Sequence, residues 1–221
     1  MIEVKNLYKS FGQKPILKDV TIQIDKNEIV TLQGPSGAGK TTLLKSIGLL
    51  DTIDSGSILF EKKDITLLNN HEQCIFRNQS VGFVFQFHNL LPEFSGLENI
   101  AIPALVGGMP MKKASKIALS LMQSLNIEDQ AHKKPNEMSG GEQQRVAIAR
   151  ALVNSPKLIL ADEPSGNLDS KQSIEMFQLF NKLRQQFSTT FLIITHNNHL
   201  AKLADRIINI KDGTINQEST K

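Results

Sequence analysis

The sequence G-P-S-G-A-G-K-T at residues 34–41 decides more about the fold than any other stretch of the chain. It fits the pattern G-x-x-x-x-G-K-[ST], whose glycines let the backbone turn tightly and present N–H groups to phosphate oxygens. The apolar-rich run at residues 28–33 predicts a buried strand, and residues 41–47 predict a helix. A strand, a glycine-rich turn and a helix N-terminus in this order predict a phosphate-binding loop in an α/β fold.

Within this loop, two side chains have a direct role in holding a nucleoside triphosphate. Lys40 is expected to reach the β- and γ-phosphates, and the Thr41 hydroxyl to take a Mg²⁺ coordination position. The dipole of the helix that begins here also favours an anion. The residues predicted to bind the nucleotide in this segment are Gly34, Pro35, Ser36, Gly37, Ala38, Gly39, Lys40, Thr41 and Thr42.

A second phosphate-handling sequence, M-S-G-G-E-Q-Q-R, occupies residues 138–145. Its S-x-x-E spacing fits a capping box ahead of a helical run at residues 143–153, and a well-capped helix is the simplest interpretation. Glycine is a poor helix former, however, so two glycines in a first turn favour close approach of a ligand. Because the first loop already surrounds its own phosphates, Ser139, Gly140 and Gly141 are predicted to serve the γ-phosphate of a nucleotide bound to another chain.

The sequence L-I-L-A-D-E-P at residues 158–164 predicts an apolar strand with two carboxylates at its carboxyl end, where open α/β sheets bind ligands. Asp162 is expected to hold the Mg²⁺ shell. Glu163 is expected to polarise the attacking water as a general base. The alternative is a pair of exposed acids without a shared task.

These three motifs together resemble the ATPase subunits of ABC transporters, and the resemblance runs essentially end to end. It implies a P-loop NTPase (RecA-like) core with an antiparallel β subdomain and an inserted α-helical subdomain. Residues 1–221 then form one ABC ATPase domain, with the nucleotide-binding core at 1–86 and 154–221 and the helical subdomain at 87–153. The resemblance also implies a head-to-tail homodimer with two ATP molecules at its interface.

Three further residues receive a role from the resemblance. His196 ends an apolar strand at residues 191–195, where the family has a histidine that contacts the γ-phosphate and orients the water. Gln86 also ends an apolar strand and matches a catalytic glutamine that touches both Mg²⁺ and the attacking water. The sequence G-N-L-D at residues 166–169 matches a loop that crosses the dimer interface, which makes Asp169 a nucleotide-binding candidate.

The sequence offers two candidates for the aromatic residue that stacks on adenine. Base–aromatic stacking contributes roughly 1–3 kcal/mol, and both Tyr8 and Phe11 precede the phosphate-binding loop. The family pattern places the stacking ring at Phe11, while Tyr8 as the stacking residue remains open.

Asn197 follows His196 where the family usually has an aspartate, so the orientation and protonation of the histidine are open.

A narrower resemblance begins after Gln86, in F-H-N-L-L-P-E-F-S-G-L-E-N-I-A-I-P at residues 87–103. It is to the ATPase subunits of lipoprotein-releasing systems; macrolide-exporter and cell-division relatives share parts of it. Apolar side chains with a polar rim suit docking of a partner helix. Integral membrane transporter subunits are therefore expected to dock near Phe87–Phe94, where the apolar side chains are Phe87, Leu90, Leu91 and Phe94, with ordinary internal packing as the alternative.

Composition limits the location and the partners. No apolar run approaches the ~20 residues of a membrane span, and the N-terminus lacks a signal-peptide pattern. Cys74 is the only cysteine, which is consistent with a reducing compartment. We therefore expect a cytoplasmic protein, peripheral on the inner (cell) membrane. A net charge of +3 without a dense basic block argues against a nucleic-acid surface.

Two other function classes fit less well. Nucleic-acid-maintenance ATPases share the second motif but carry long coiled-coil or zinc-bearing insertions, and one cysteine cannot build such a zinc site. A small-molecule kinase would not need the second motif or the Asp-Glu pair. The prediction is an ATP-hydrolysing transporter subunit for lipoprotein release, with a macrolide exporter or a cell-division complex as the alternative.

Local patterns predict the remaining elements. Strands are predicted at residues 2–7, 20–24, 55–60 and 207–210. Helical stretches after Gln86 are expected to be separated by Pro92, Pro103, Pro110 and Pro135. The polar tail at residues 216–221 is expected to be frayed.

Overall fold

The computed structural model describes residues 1–166 and 168–220; Asn167 of the G-N-L-D match and Lys221 of the predicted tail lie outside the described residues. The strands are β1 (Ile2–Phe11), β2 (Lys14–Ile24), β3 (Ile29–Gln33), β4 (Ser55–Phe60), β5 (Lys63–Asp64), β6 (Val81–Phe85), β7 (Leu158–Asp162), β8 (Thr190–Ile194), β9 (Arg206–Lys211) and β10 (Thr214–Thr220). The helices are α1 (Lys40–Ile47), α2 (Asn70–Ser80), α3 (Gly96–Val106), α4 (Met111–Ser124), α5 (Gly140–Leu152), α6 (Ser170–Phe187) and α7 (Asn198–Ala201). Short 3₁₀ turns lie at Glu128–Gln130 and Pro135–Glu137.

The larger sheet has the strand order β10-β9-β3-β8-β7-β6, in which β9, β3, β8, β7 and β6 are parallel and β10 is antiparallel to β9. Strands β3, β7 and β8 are apolar and buried along almost their whole length, as expected of central parallel strands. In the register of the sheet, Asp162 lies opposite both Phe85 and Ile194. The carboxyl ends of these strands therefore meet at one edge, where the chemical motifs also lie.

The smaller sheet is antiparallel, with the order β2-β1-β4-β5. Along β2 buried and exposed residues alternate, the pattern of a sheet with one face on the core. Its buried side chains, such as Val4 and Ile22, belong to the same apolar cluster as Leu32 of β3 and Leu43 of α1. This arrangement confirms the predicted α/β core with an antiparallel β subdomain.

Helices α3, α4 and α5 share a second apolar cluster, which includes Ile100, Ala118 and Val146. Helix α5 also lies directly on the larger sheet, because a Cβ at Gly82 of β6 would be 2.4 Å from the Ala151 carbonyl oxygen. The helical layer that the sequence predicts between β6 and β7 is therefore present. The division of the chain at residues 87 and 153 stays a prediction.

Two expectations from the sequence are wrong. Pro103 does not separate helices but lies inside α3, whose burial of Ile100 and Ala104 holds the helix together despite the missing N–H. The tail is not frayed up to Thr220, because β10 pairs with β9 through backbone hydrogen bonds that need no apolar side chains.

Helix α2 is not among the elements predicted from the sequence. Helix α2 buries none of its residues, so it has no apolar periodicity to reveal it. It begins at a capping box made by Asn69 and Glu72, which is its main sequence signal. In the described part of the chain, no helix is both long and apolar enough to cross a membrane.

Candidate active site

The loop between β3 and α1 depends on glycine at two positions. A Cβ at Gly34 would lie 2.0 Å from the carbonyl oxygen of Ile210, so the loop passes directly against β9. Gly39 has a φ of 104°, and a Cβ there would lie 2.8 Å from Leu17 Cδ2. Gly39 is also the N-cap of α1 and makes no side-chain cap, so the first N–H groups of α1 remain available to an anion.

The ammonium group of Lys40 lies inside this loop. Its Nζ donates hydrogen bonds to the carbonyl oxygens of Gly34, at 2.8 Å, and Pro35, at 3.0 Å. Burial lowers the pKa of Lys40, while the carboxylates of Glu163 and Asp162 act in the opposite direction. Lys40, Asp162 and Glu163 line the same cleft, so the loop and the acidic pair belong to one site.

The hydroxyl group of Thr41 faces Asp162 across the edge of the sheet. Thr41 Oγ1 donates to Asp162 Oδ1 at 3.4 Å. Among the described residues, no three or more His, Cys, Asp and Glu side chains are grouped so as to hold a metal ion. One carboxylate and one hydroxyl fit Mg²⁺, which proteins commonly hold by one or two carboxylates together with waters and substrate phosphates.

Glu163 is held in an unusual backbone conformation next to Asp162. Its φ is +49°, a left-handed value that costs on the order of 1–3 kcal/mol for a residue other than glycine. Its N–H donates to the Ile194 carbonyl at 3.1 Å, which fixes it to β8. Strain of this kind, at the edge where the other motifs meet, is typical of a functional position.

The carboxylate of Glu163 contacts His196 twice. His196 Nε2 lies 3.0 Å from Glu163 Oε1, and the His196 backbone N–H donates to Oε2 at 3.3 Å. Burial raises the pKa of Glu163, with the His196 side chain acting against this shift. A half-buried carboxylate with a raised pKa is a better proton acceptor than an exposed one, because its conjugate acid is less acidic.

A cleft of about 540 Å³ joins these segments. The predicted site residues that line it are Ser36, Gly37, Gly39, Lys40, Thr41, Thr42, Gln86, Asp162, Glu163 and His196. Gln86 lies against the segment after β7, since a Cβ at Gly166 would be 2.6 Å from its Nε2. Residues from four separate parts of the sequence therefore meet at the carboxyl edge of the larger sheet. Ala38 is instead buried in the core.

Lys14 and Asn89 also line the cleft, although sequence reasoning did not select them. Lys14 is the first residue of β2 and belongs to no motif. Asn89 has a φ of 48°, in a turn whose shape is not evident from its sequence. The enrichment of asparagine among residues with positive φ is the one signal that points to it.

The Ser139 motif lies elsewhere. Ser139 and Gly141 line a different cleft, of about 230 Å³, together with Glu175 of α6. The predicted capping box is confirmed, because Glu142 Oε2 accepts hydrogen bonds from the N–H and the hydroxyl of Ser139, both at 2.7 Å. A Cβ at Gly140 or Gly141 would meet nothing within 4 Å, so packing within this chain does not require either glycine.

The other predicted contacts also lie outside the 540 Å³ cleft. Asp169 caps α6, accepting the Gln172 N–H at 2.8 Å. Phe11 is exposed at the end of β1, where it pairs in register with Lys14 of the cleft. Tyr8 is exposed as well, so it does not occupy the core either.

The Asn197 side chain, which follows His196, is hydrogen-bonded to the next helix. Its side-chain oxygen accepts the N–H groups of His199, at 2.9 Å, and Leu200, at 3.3 Å, and so caps α7. This oxygen is therefore engaged by α7, and the described partner of the His196 ring is Glu163.

Comparisons with known proteins agree with this geometry. A family model described as ABC transporter matches residues 17–166. The lipoprotein-releasing system ATP-binding protein LolD of Porphyromonas gingivalis is 52% identical over 218 residues, which cover 99% of this chain and 100% of that protein. The macrolide export ATP-binding/permease protein MacB of Campylobacter jejuni is 45% identical, over 100% of this chain and 34% of its own length.

A solved structure extends the likeness to the fold. The dimeric post-hydrolysis form of the ATP-binding cassette MJ0796, bound to ADP and Pi, has a TM-score of 0.90 at 38% identity. The match covers 100% of this chain and 98% of that one. Since the family model spans more than half of the chain and the relatives match it from end to end, this chain belongs to the ABC transporter family as an ATP-binding cassette ATPase.

Proposed function

We propose that two copies of this chain close head to tail around two ATP molecules and that hydrolysis reopens them. The observation that carries this proposal is the separation of the two phosphate motifs. Lys40 and Glu163 line one cleft, whereas Ser139 and Gly141 lie at another, with open space over Gly140 and Gly141. A second copy brings its Ser139 motif to the nucleotide of the first, and the dimeric cassette MJ0796 supports such an assembly.

Within this assembly, different residues of the chain bind the phosphates, hold the Mg²⁺ and activate the attacking water. Lys40 and the N–H groups at the start of α1 neutralise the phosphates. Mg²⁺, held through Thr41, Asp162 and Gln86, would supply positive charge to the β- and γ-phosphate oxygens. Glu163 accepts a proton from the attacking water as the water oxygen bonds to the γ-phosphorus and the bond from that phosphorus to the bridging oxygen of ADP breaks. The Glu163–His196 contact keeps the carboxylate aimed at the cleft.

We also infer that the chain works at the cytoplasmic face of the inner membrane, driving partner subunits that release lipoproteins. The match to the P. gingivalis LolD supports this over macrolide export, because it has the higher identity and spans the whole of that protein. Phe87 is 76% exposed, and Leu91 and Phe94 are each 41% exposed. These apolar side chains form a surface for the membrane subunits.

A groove of about 510 Å³ lies beside this surface. It is lined by apolar residues of β6, including Phe83 and Phe85, and by Pro103 of α3. Asn89 and Phe85 line both this groove and the nucleotide cleft. A partner helix in the groove would therefore contact the segment that follows Gln86. Through this contact, a change at the bound nucleotide would be transmitted to the membrane subunits.

The Leu91→Ala, Phe94→Ala double variant tests this docking surface. Fully burying an apolar side chain contributes on the order of 1.5–3 kcal/mol. Because each of these side chains is 41% exposed before docking, losing both should weaken assembly by roughly ten- to fiftyfold. Neither side chain lines the nucleotide cleft, so basal hydrolysis should persist. The measurement is ATPase stimulation and lipoprotein release in vesicles that contain the lipoprotein-releasing membrane subunits. Leu67→Ala, at a side chain that is 82% exposed elsewhere, is the control.

If the double variant is stimulated as strongly as the parent chain, the surface does not bind the membrane subunits. The assignment to lipoprotein release would then lose its structural support. The assignment to the ABC ATPases would not change, because it rests on the nucleotide motifs.

Phe11→Ala tests adenine stacking. Loss of a stacked ring costs roughly 1–3 kcal/mol, which corresponds to a rise in the Kd of ATP of about 5- to 150-fold. Phe11→Tyr should bind nearly normally, and Tyr8→Ala should have little effect. Equilibrium binding of a fluorescent ATP analogue measures all three. The reverse result, with the loss at Tyr8→Ala, would make Tyr8 the stacking residue.

A further inference from the structure

The turn from α3 to α4 carries a concentration of positive charge without compensation. From Asn99 to Ile127 the sequence has no aspartate or glutamate, yet it contains Lys112, Lys113 and Lys116. All three lysines are exposed. Within the described part of the chain, none of them takes part in an ion pair.

Two of these lysines stand where helix electrostatics disfavours them. Lys112 and Lys113 occupy the first turn of α4, at the positive pole of the helix dipole, and Lys116 follows in the second turn. Pro110 precedes the helix and provides no side-chain cap, and the first turn has no acidic residue. The lysines therefore do not stabilise α4, and their charge is available to a binding partner outside the chain.

Exposed apolar side chains accompany the charge. Val106, at the end of α3, is 76% exposed, and Met111, at the start of α4, is 55% exposed. Between them lie Gly107 and Gly108, which add no side chains to the turn. We call Val106, Met111, Lys112, Lys113 and Lys116 the lysine turn.

The lysine turn lies beside the groove proposed for the membrane subunits. Pro103 of α3 lines that groove, and its carbonyl accepts the Asn78 side-chain N–H at 2.8 Å. A Cβ at Gly107 would lie 2.7 Å from the same Asn78 side chain. The turn therefore extends the face of the molecule that meets the membrane partner.

We propose that the lysine turn binds the anionic phospholipid surface of the membrane. Lysine is a hydrated point charge that responds to a diffuse negative surface, whereas protein interfaces are enriched in arginine and depleted in lysine. Val106 and Met111 are apolar side chains of the kind that enter the headgroup region next to such a charge. The proposal rests on the proposed function only in placing this face toward the membrane, because lipid binding needs no partner subunit.

Vesicle binding tests the proposal with the full chain alone. The parent protein should co-sediment with vesicles of phosphatidylglycerol and phosphatidylethanolamine, bind poorly to phosphatidylcholine vesicles, and dissociate at high salt, because screening shortens the range of the attraction. Each lysine near an anionic surface is worth about fivefold in partitioning, so Lys112→Gln, Lys113→Gln, Lys116→Gln should lower it at least about tenfold. Glutamine is a good helix former, so α4 should stay folded.

The control is Lys62→Gln, Lys63→Gln, Lys182→Gln, which removes the same charge from exposed lysines outside the turn. This variant should keep nearly all vesicle binding, and both triple variants should keep the basal ATPase. An equal loss in the two variants, or no preference of the parent for anionic vesicles, would overturn the proposal. So would a triple variant that binds vesicles normally but assembles poorly with the membrane subunits in detergent, because the turn would then contact protein.

Discussion

Glu163→Gln is expected to retain ATP binding and to lower the hydrolysis rate by at least about 10²–10⁴-fold, the range that a positioned general base contributes. Glutamine keeps the shape of the side chain, and its amide oxygen still accepts from His196. It loses the negative charge and the ability to take a proton from water. Because ATP then binds without being hydrolysed, the protein should accumulate as an ATP-bound dimer.

Single-turnover hydrolysis and light scattering in the presence of ATP measure the two effects. Glu128→Gln makes the same chemical change at an exposed residue of the Glu128–Gln130 turn and should hydrolyse ATP normally. Turnover by Glu163→Gln within a few fold of the parent would remove Glu163 from the role of base. The contact of His196 with Glu163 would then have a structural purpose only.

The strand, loop and helix around Lys40 could be predicted because all of the information is local. An apolar run, spaced glycines and a helical pattern follow one another without interruption. The convergence of Gln86, Glu163 and His196 is different, since it depends on which strands are neighbours. The sequence supplied apolar strands that end in polar residues, and only the parallel register of β6, β7 and β8 brings those ends together.

Other features were beyond the sequence for identifiable reasons. The left-handed conformation of Glu163 is imposed by the surrounding structure, and no local residue preference predicts it for a glutamate. Helix α2 has no fully buried residue and packs on the core only through the partly buried Phe76, so periodicity could not reveal it. The engagement of Asn197 with α7 required the position of that helix, and the pairing of β10 required the edge provided by β9.

Ser139→Arg should preserve ATP binding by the monomer and block both dimerisation and hydrolysis. The arginine side chain would fill the open space at the start of α5, where the nucleotide of a second copy is proposed to lie. Nucleotide binding should survive, because Ser139 does not line the cleft that contains Lys40. Equilibrium binding of ATP, the ATP-dependent dimer fraction and steady-state turnover are the three measurements.

Companion variants separate a blocked interface from a damaged helix. Ser139→Ala removes the cap of α5 and should lower stability by about 1 kcal/mol without placing bulk in the interface. Gly140→Ala should instead stabilise the monomer, by up to about 1 kcal/mol, because alanine is a better helix former than glycine and its Cβ would meet nothing in this chain. If the second copy's nucleotide approaches this backbone, Gly140→Ala will nevertheless dimerise and hydrolyse poorly. A Gly140→Ala protein that is more stable and fully active, or a Ser139→Arg monomer that no longer binds ATP, would contradict the shared site.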